Sequence, residues 1–200
     1  MKIVFASHNS GKIQELRSLL QSWQIQLIPQ GELNVTEIAE TGLTFIENAL
    51  LKARHASQQT GLPSIADDSG LEVTALKGEP GIFSARYAGE PSNAKNNINK
   101  LLNTLENYPE QKRNARYYCV LVFLKHPKDP TPVIAEGYWE GIISQEPLGE
   151  NGFGYDPIFF DPKENQSAAQ LSLARKNQIS HRAQALRNLI DKLKNSSIFI

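Results

Sequence analysis

A single cysteine, Cys119, rules out an intramolecular disulfide and any zinc site built on several cysteines. It lies inside the apolar run Tyr117 to Leu124, which makes it a core residue rather than a nucleophile. Charge of neither sign is in excess. The 21 basic and 21 acidic side chains leave no net field for duplex nucleic acid or an anionic membrane surface. No apolar run approaches the ~20 residues that cross a bilayer, and the N-terminus has no signal-peptide pattern. A cytoplasmic protein is expected. G-x-S-x-G is missing too, so a Ser-His-Asp hydrolase lacks its nucleophile elbow. The last absence is the most informative. The segment from Ala6 to Ile13 nearly forms a Walker A loop, but has Ala6 where that loop needs Gly and Ile13 where it needs Ser or Thr. The hydroxyl that would hold magnesium there is missing, so any metal must be held elsewhere.

What remains at that segment is still a phosphate cradle. Lys2 to Ala6 reads as a buried strand, and Ile13, Leu16, Leu20 and Trp23 share one face of a following helix. Ser7, His8, Asn9, Ser10, Gly11 and Lys12 form the polar turn between them. Free N–H groups and the helix dipole favour an anion at such a turn, and Lys12 adds a full charge.

Alternating strands and helices along the rest of the chain indicate a layered α/β fold. A short strand is expected over Ile25 to Ile28. Thr44 and Glu47 have capping-box spacing ahead of a helix with Phe45, Ala49, Ala53 and Ala56 on one face. Gly61-Leu62-Pro63 ends it. Pro63 to Ala66 starts a strand that runs into Asp67-Asp68-Ser69-Gly70, and Leu71 to Leu76 alternates like another half-buried strand. Lys77 to Pro91, with three glycines and two prolines, reads as a long exposed loop. Ile98, Leu101, Leu102 and Leu105 mark a further helix. Strands follow over 115–126, apolar enough to be central, and 132–144. Ala183, Leu186, Ile190 and Leu193 mark the buried face of a closing helix. The 200 residues suit one domain or two closely joined lobes, woven together rather than strung in series.

Three further segments carry candidate chemistry. Glu37-Ile38-Ala39-Glu40 and Asp67-Asp68 offer carboxylates for a hard cation. Adjacent residues on an extended backbone point to opposite faces, so Asp67 and Asp68 share a ligand only if the strand has turned. Locally, Asp-Asp-Ser-Gly favours a turn over a metal site. In Gly152-Phe153-Gly154-Tyr155-Asp156-Pro157, two glycines permit close backbone approach and two aromatics could stack on a planar ring; the competing reading folds those aromatics into the core. Lys176 and Ser180-His181-Arg182 gather basic groups at a helix start without nearby carboxylates in the sequence. That arrangement runs against the dipole, as sequences do at sites. His8, His55 and His126 have weaker claims.

Six segments in order, SHNSGK, ETGLTFIENALLKA, ADDSGLEV, PGIFSARYAG, GFGYDPIFF and ISHRAQAL, resemble the inosine/xanthosine triphosphate pyrophosphatases. The resemblance runs from Lys2 to about Leu193. It implies an α/β fold with an elongated mixed central sheet flanked by helices, in two interwoven lobes with a substrate cleft between them. It also implies one pyrophosphatase domain over residues 1–200, magnesium dependence and a homodimer. The implied reaction releases pyrophosphate and a nucleoside monophosphate from ITP, dITP, XTP and dXTP. Residue by residue, it implies that Ser7, His8, Asn9, Ser10, Gly11 and Lys12 hold the triphosphate. Glu40 and Asp68 would serve magnesium, with Asp68 also the proton acceptor for the attacking water. Ser69, Phe153, Gly154, Tyr155, Asp156, Lys176, His181 and Arg182 would line the substrate. The family often has Thr and Gly where this chain has Ser7 and His8; Ser7 preserves the hydroxyl. Rival readings are a nucleotide-binding regulatory module, against which intact Glu40 and Asp68 argue, and a phosphatase or nuclease using the same carboxylates. Phe153 and the His181-Arg182 pair point to base reading, which a general phosphatase does not need. The neutral charge balance argues against a nuclease.

Overall fold

The computed structural model describes residues 1–20, 23 and 25–195. Among the described residues, seven strands form one sheet in the order β2-β1-β3-β4-β5-β6-β7, and there are five α-helices. Strand β1 (Lys2–Phe5) pairs in parallel with β2 (Gln26–Pro29) and β3 (Ser64–Val73). At the other end, β6 (Phe159–Asp161) runs antiparallel to both β5 (Val133–Ile143) and β7 (Gln166–Ser167), so the sheet is mixed. Strand β4 (Asn114–Leu124) takes the central position its apolar run suggested and is buried from Tyr117 to Leu124. Burial along β5 alternates, as expected of a strand with one wet face.

The chain divides into two compact units, each drawn from separate stretches of sequence. The first comprises Met1–Ser69, Cys119–Gly137 and the part from Ser180 onward; the second comprises Gly70–Tyr118 and Tyr138–Ile179. In the first, α1 (Ser10–Leu20) and α5 (His181–Asn195) pack together and bury Leu16, Leu20, Leu186, Leu189 and Leu193 against Ile3, Phe5, Leu121 and Phe123. The second has its own core of Leu71, Val73, Leu101, Tyr117, Trp139, Ile158 and Phe159. Within it, α3 (Ala94–Thr104) packs on a short 3-10 helix over Gly81–Arg86.

Local chemistry sets the element ends that matter for the site. Helix α2 (Phe45–Thr60) starts with the expected capping box: the Glu47 N–H donates to Thr44 Oγ1 at 3.2 Å, and the Thr44 N–H donates to Glu47 Oε2 at 2.8 Å. The Leu43 N–H also donates to Glu47, and the Gly42 N–H to Asn48 Oδ1, each at 2.8 Å, tying down the segment just after Glu40. Gly61 ends the helix in the left-handed conformation. Gly137 on β5 lets the start of α5 seat against the strand. A Cβ there would lie 2.1 Å from the His181 carbonyl oxygen and 2.5 Å from the Ala185 nitrogen.

Four local expectations are corrected. Asp67-Asp68-Ser69-Gly70 is not a turn; β3 runs straight through it to Val73, and Thr74–Leu76 is a 3-10 turn rather than strand. The strand persists because Asp67 is buried and ion-paired, which local turn propensity does not register. The segment from Lys77 to Pro91 is only partly exposed. Its 3-10 helix buries Ser84, whose hydroxyl accepts from the Leu71 N–H at 2.9 Å. Lys176 does not belong to the last helix: it lies in a separate short helix, α4 (Leu173–Ile179), in the second unit.

Candidate functional site

The anchor of the site is the start of α1. Asn9 caps the helix, its Oδ1 accepting from the Lys12 N–H at 3.1 Å, while Ser7 Oγ accepts from the Asn9 N–H at 3.1 Å. His8 lies against Gly31, where a Cβ would lie 3.2 Å from its Nδ1. Ser7, His8 and Ser10 line a cavity of about 550 Å³ together with Gln14, Arg17 and Gly31. The Lys12 ammonium pairs with Asp67 Oδ1, so its position is set by the strand and not by its own flexible stem.

Asp67 and Asp68 diverge across β3, as strand alternation requires. Asp67 is 1% exposed and faces a cationic cluster. Besides Lys12, it accepts from Arg182 Nε at 2.8 Å, Ser69 Oγ at 3.0 Å and the Cys119 thiol at 3.2 Å. Arg182, 1% exposed, also pairs with Glu15 through Nη1 and donates to Ser69 Oγ at 3.0 Å through Nη2. Burial alone would raise the Asp67 pKa, but the charges of Arg182 and Lys12 outweigh it and hold the carboxyl well below its usual range. The Cys119 thiol is pushed well up, first by burial and then by Asp67, and stays a donor to that carboxylate.

Asp68 faces the other way, onto α2 and the segment before it. Lys52 donates through one ammonium to Asp68 Oδ1 at 2.7 Å and Glu40 Oε1 at 2.6 Å. Burial raises the Asp68 pKa, and the opposing charges of Lys52 and Lys12 do not fully cancel that effect. A carboxylate in this condition is a better proton acceptor than an ordinary one. The donor set suits magnesium, which takes one or two carboxylates and keeps several waters: two carboxylate oxygens converge on a point already held by a positive charge. Among the described residues there is no cluster of three or more His, Cys, Asp or Glu side chains of the sort zinc requires.

The second unit holds its own polar cluster. Asp156, 3% exposed, accepts from Lys176 Nζ at 2.6 Å, from the Phe153 N–H at 2.8 Å and from the Tyr117 hydroxyl at 3.2 Å. Lys176 stands 5.1 Å from the centre of the half-buried Phe153 ring. Gly152 is required here: its φ is +78°, and a Cβ would lie 2.0 Å from Asp156 Oδ2. Of the two loop aromatics, Tyr155 folds into the core, its hydroxyl donating to the Ser84 carbonyl at 2.9 Å, while Phe153 keeps a partly open face.

The sequence model of the Ham1 family matches residues 3–192, which contain all six motifs quoted above. The chain belongs to the Ham1 family. It is 57% identical over 192 residues to a dITP/XTP pyrophosphatase of Vibrio parahaemolyticus, covering 96% of each chain. It is 55% identical over 194 residues to one from Shigella flexneri, covering 97% of this chain and 98% of the relative. Among solved structures, a HAM1 protein from Coxiella burnetii is 49% identical with a TM-score of 0.89, over 98% of this chain and 99% of that one. The Ham1 protein of Staphylococcus aureus is 43% identical with a TM-score of 0.86, over 98% of this chain and all of that one, 100%. The mixed sheet with flanking helices is thus the Ham1 fold.

In this Ham1 chain the first unit brings together Ser7 to Lys12, Glu40, Asp68, Ser69, His181 and Arg182, and the second brings together Phe153 to Asp156 and Lys176. The basic groups that seemed to lack carboxylates find them in space: Lys176 on Asp156, Arg182 on Asp67 and Glu15. Sequence reasoning missed Lys52 and Glu15. The signal for Lys52 was a lysine at i+7 from Phe45 and i+3 from Ala49, on the buried face of an alanine-rich helix. Glu15 sits at i+3 from Lys12, beside buried Leu16.

The Asp67 cluster has a consequence for acid stability. A carboxyl with a depressed folded pKa adds stability above its unfolded value, ~3.9, and that stability is lost as pH falls through the folded value. Asp67→Asn leaves Lys12 and Arg182 without their shared counter-charge, at a cost of ~3–5 kcal/mol. Urea midpoints measured from pH 3 to 7 should be lower in the variant at neutral pH. They should fall less steeply than the parent's toward acid.

Proposed function

We propose that this protein is a magnesium-dependent pyrophosphatase that hydrolyses ITP, dITP, XTP and dXTP to the monophosphate and pyrophosphate, removing deaminated purines from the nucleotide pool. The enzyme is a hydrolase of phosphoric anhydride bonds, the activity for which its near-full-length relatives are named. The observation that carries the reading is the pair of opposite faces on β3: Asp67 fixes the Lys12 ammonium at the α1 start, and Asp68 presents a carboxylate that burial has made more basic. A homodimer in the cytoplasm belongs to the same proposal and rests on the family resemblance. No described helix is long and apolar enough to cross a membrane.

In this reading the α1 start and Lys12 hold the distal phosphates. Asp68 takes a proton from the attacking water as its oxygen bonds to the α-phosphorus. The α–β anhydride bond breaks, and pyrophosphate leaves with the electron pair. Glu40 and Asp68 would hold magnesium, which neutralises phosphate charge and orients the water. No covalent intermediate on the protein is needed, since phosphoryl transfer demands mainly positioning and charge stabilisation.

The family resemblance assigns substrate contacts to Phe153, Asp156 and Lys176 in the second unit and, separately, to His181 and Arg182 in the first, where Arg182 already pairs with Asp67 and Glu15. Hypoxanthine and xanthine carry a 6-oxo acceptor beside a ring N–H, whereas adenine shows the reversed pattern. A site built to donate to the 6-oxo group rejects the reversed pattern by as much as ~10⁴-fold.

Two outcomes are expected. Chromatography of products from inosine triphosphate should show monophosphate and pyrophosphate from the first turnovers, with Asp68→Asn slower by at least ~100-fold. Orthophosphate as the first product would instead mark a γ-phosphatase. For base reading, His181→Ala is a cleaner test than Arg182→Ala, which also strips Asp67 of a partner. His181→Ala should lose more kcat/KM on inosine than on adenosine triphosphate. Equal losses on both would remove His181 from base recognition.

A further inference from the structure

The Lys52 ammonium sits where the proposed metal would have to go. Its Nζ lies 2.6 Å from Glu40 Oε1 and 2.7 Å from Asp68 Oδ1, and its side chain is only 15% exposed. Glu40 precedes α2 and Asp68 is on β3, so this one charge bridges two separate elements. Glu40 and Asp68 repel each other, and the Lys52 charge opposes that repulsion. Magnesium binds oxygens at ~2.0–2.1 Å and tolerates little departure from octahedral geometry. The carboxylates must therefore close around the ion on the point the ammonium occupies, and the two cations cannot share it. A four-carbon stem with free rotation can vacate that point, as a rigid guanidinium fork could not.

We propose that Lys52 is the resident counter-ion of the Glu40–Asp68 pair, and that a divalent cation enters only by displacing it. The inference rests on the reading of that pair as the metal site. Before the metal arrives, the Lys52 charge lies within hydrogen-bond reach of both carboxylates and offsets part of their mutual repulsion. Entry of the metal replaces one charge with two and breaks both ammonium contacts. Lys52 thereby lowers divalent affinity, so that the site fills in proportion to the cation available.

The test is titration of the nucleotide-free protein with Mn²⁺, reading free ion by electron paramagnetic resonance. It compares the parent with Lys52→Met, Lys52→Gln, Glu40→Gln and Asp68→Asn, each checked for folding by circular dichroism. Losing two charge-assisted hydrogen bonds to the competitor should tighten Mn²⁺ binding in Lys52→Met by about tenfold or more. Lys52→Gln should shift the same way and serves if Lys52→Met does not fold. Glu40→Gln and Asp68→Asn should bind more weakly than the parent. If the carboxylate variants lose binding while both Lys52 variants bind no more tightly than the parent, Lys52 is not a competitor and the inference fails, with the metal site intact. If the carboxylate variants bind like the parent, the metal reading itself fails and the inference with it.

Discussion

The pleat of β3 sends two adjacent carboxylates to opposite sides, and the arrangement of the first unit follows from that separation. Asp67 enters a closed pocket where Lys12, Arg182, Ser69 and Cys119 all direct donors at it. Asp68 meets Lys52 and, through it, Glu40. One face is saturated with hydrogen bonds and ion pairs and holds its carboxyl ionised. The other has fewer partners and a carboxyl pushed toward the neutral form. Two identical side chains, one residue apart, thus acquire different chemistry from their surroundings alone.

Burying that much charge is costly, and ion pairs of this kind seldom add net stability over an apolar core. What the cluster supplies is position. Lys12 has a flexible stem, yet its ammonium is fixed by a strand residue that is itself gripped by α5. Arg182 reaches Asp67 because Gly137 lets the helix start lie directly on β5. Glu15, one turn along α1 from Lys12, closes the circuit from the other side. Strand, α1 start and C-terminal helix are held in one register by charge. In the second unit Asp156 does similar work, orienting Phe153 and Lys176 through a single buried carboxylate.

Much of this was legible in the sequence where local chemistry and tertiary structure agree. The Thr44–Glu47 capping box, the Gly61 stop and the apolar run of β4 all formed where expected, while the turn after β1 is shorter than expected, since α1 already starts at Ser10. The misreadings fall where a distant partner overrides local preference. Asp-Asp-Ser-Gly prefers turns, but it stays extended because Arg182, 115 residues from Asp67, compensates its charge. Lys52 was not singled out in the sequence, since its two carboxylates lie 12 and 16 residues away. Arg182 at the α5 start runs against the dipole because it answers Asp67 and Glu15 elsewhere in the fold. The two-residue strand β7 has too few residues to show a period.

The division of labour across β3 is most directly tested by equilibrium binding of a non-hydrolysable inosine triphosphate analogue, with no divalent cation added. Asp67→Asn removes the group that aims Lys12, and should weaken binding by about tenfold or more, a charge-assisted contact's worth. Asp68→Asn removes a negative charge from the proposed reacting face, and should bind at least as tightly as the parent. Weakened binding in Asp68→Asn with parental binding in Asp67→Asn would contradict the account.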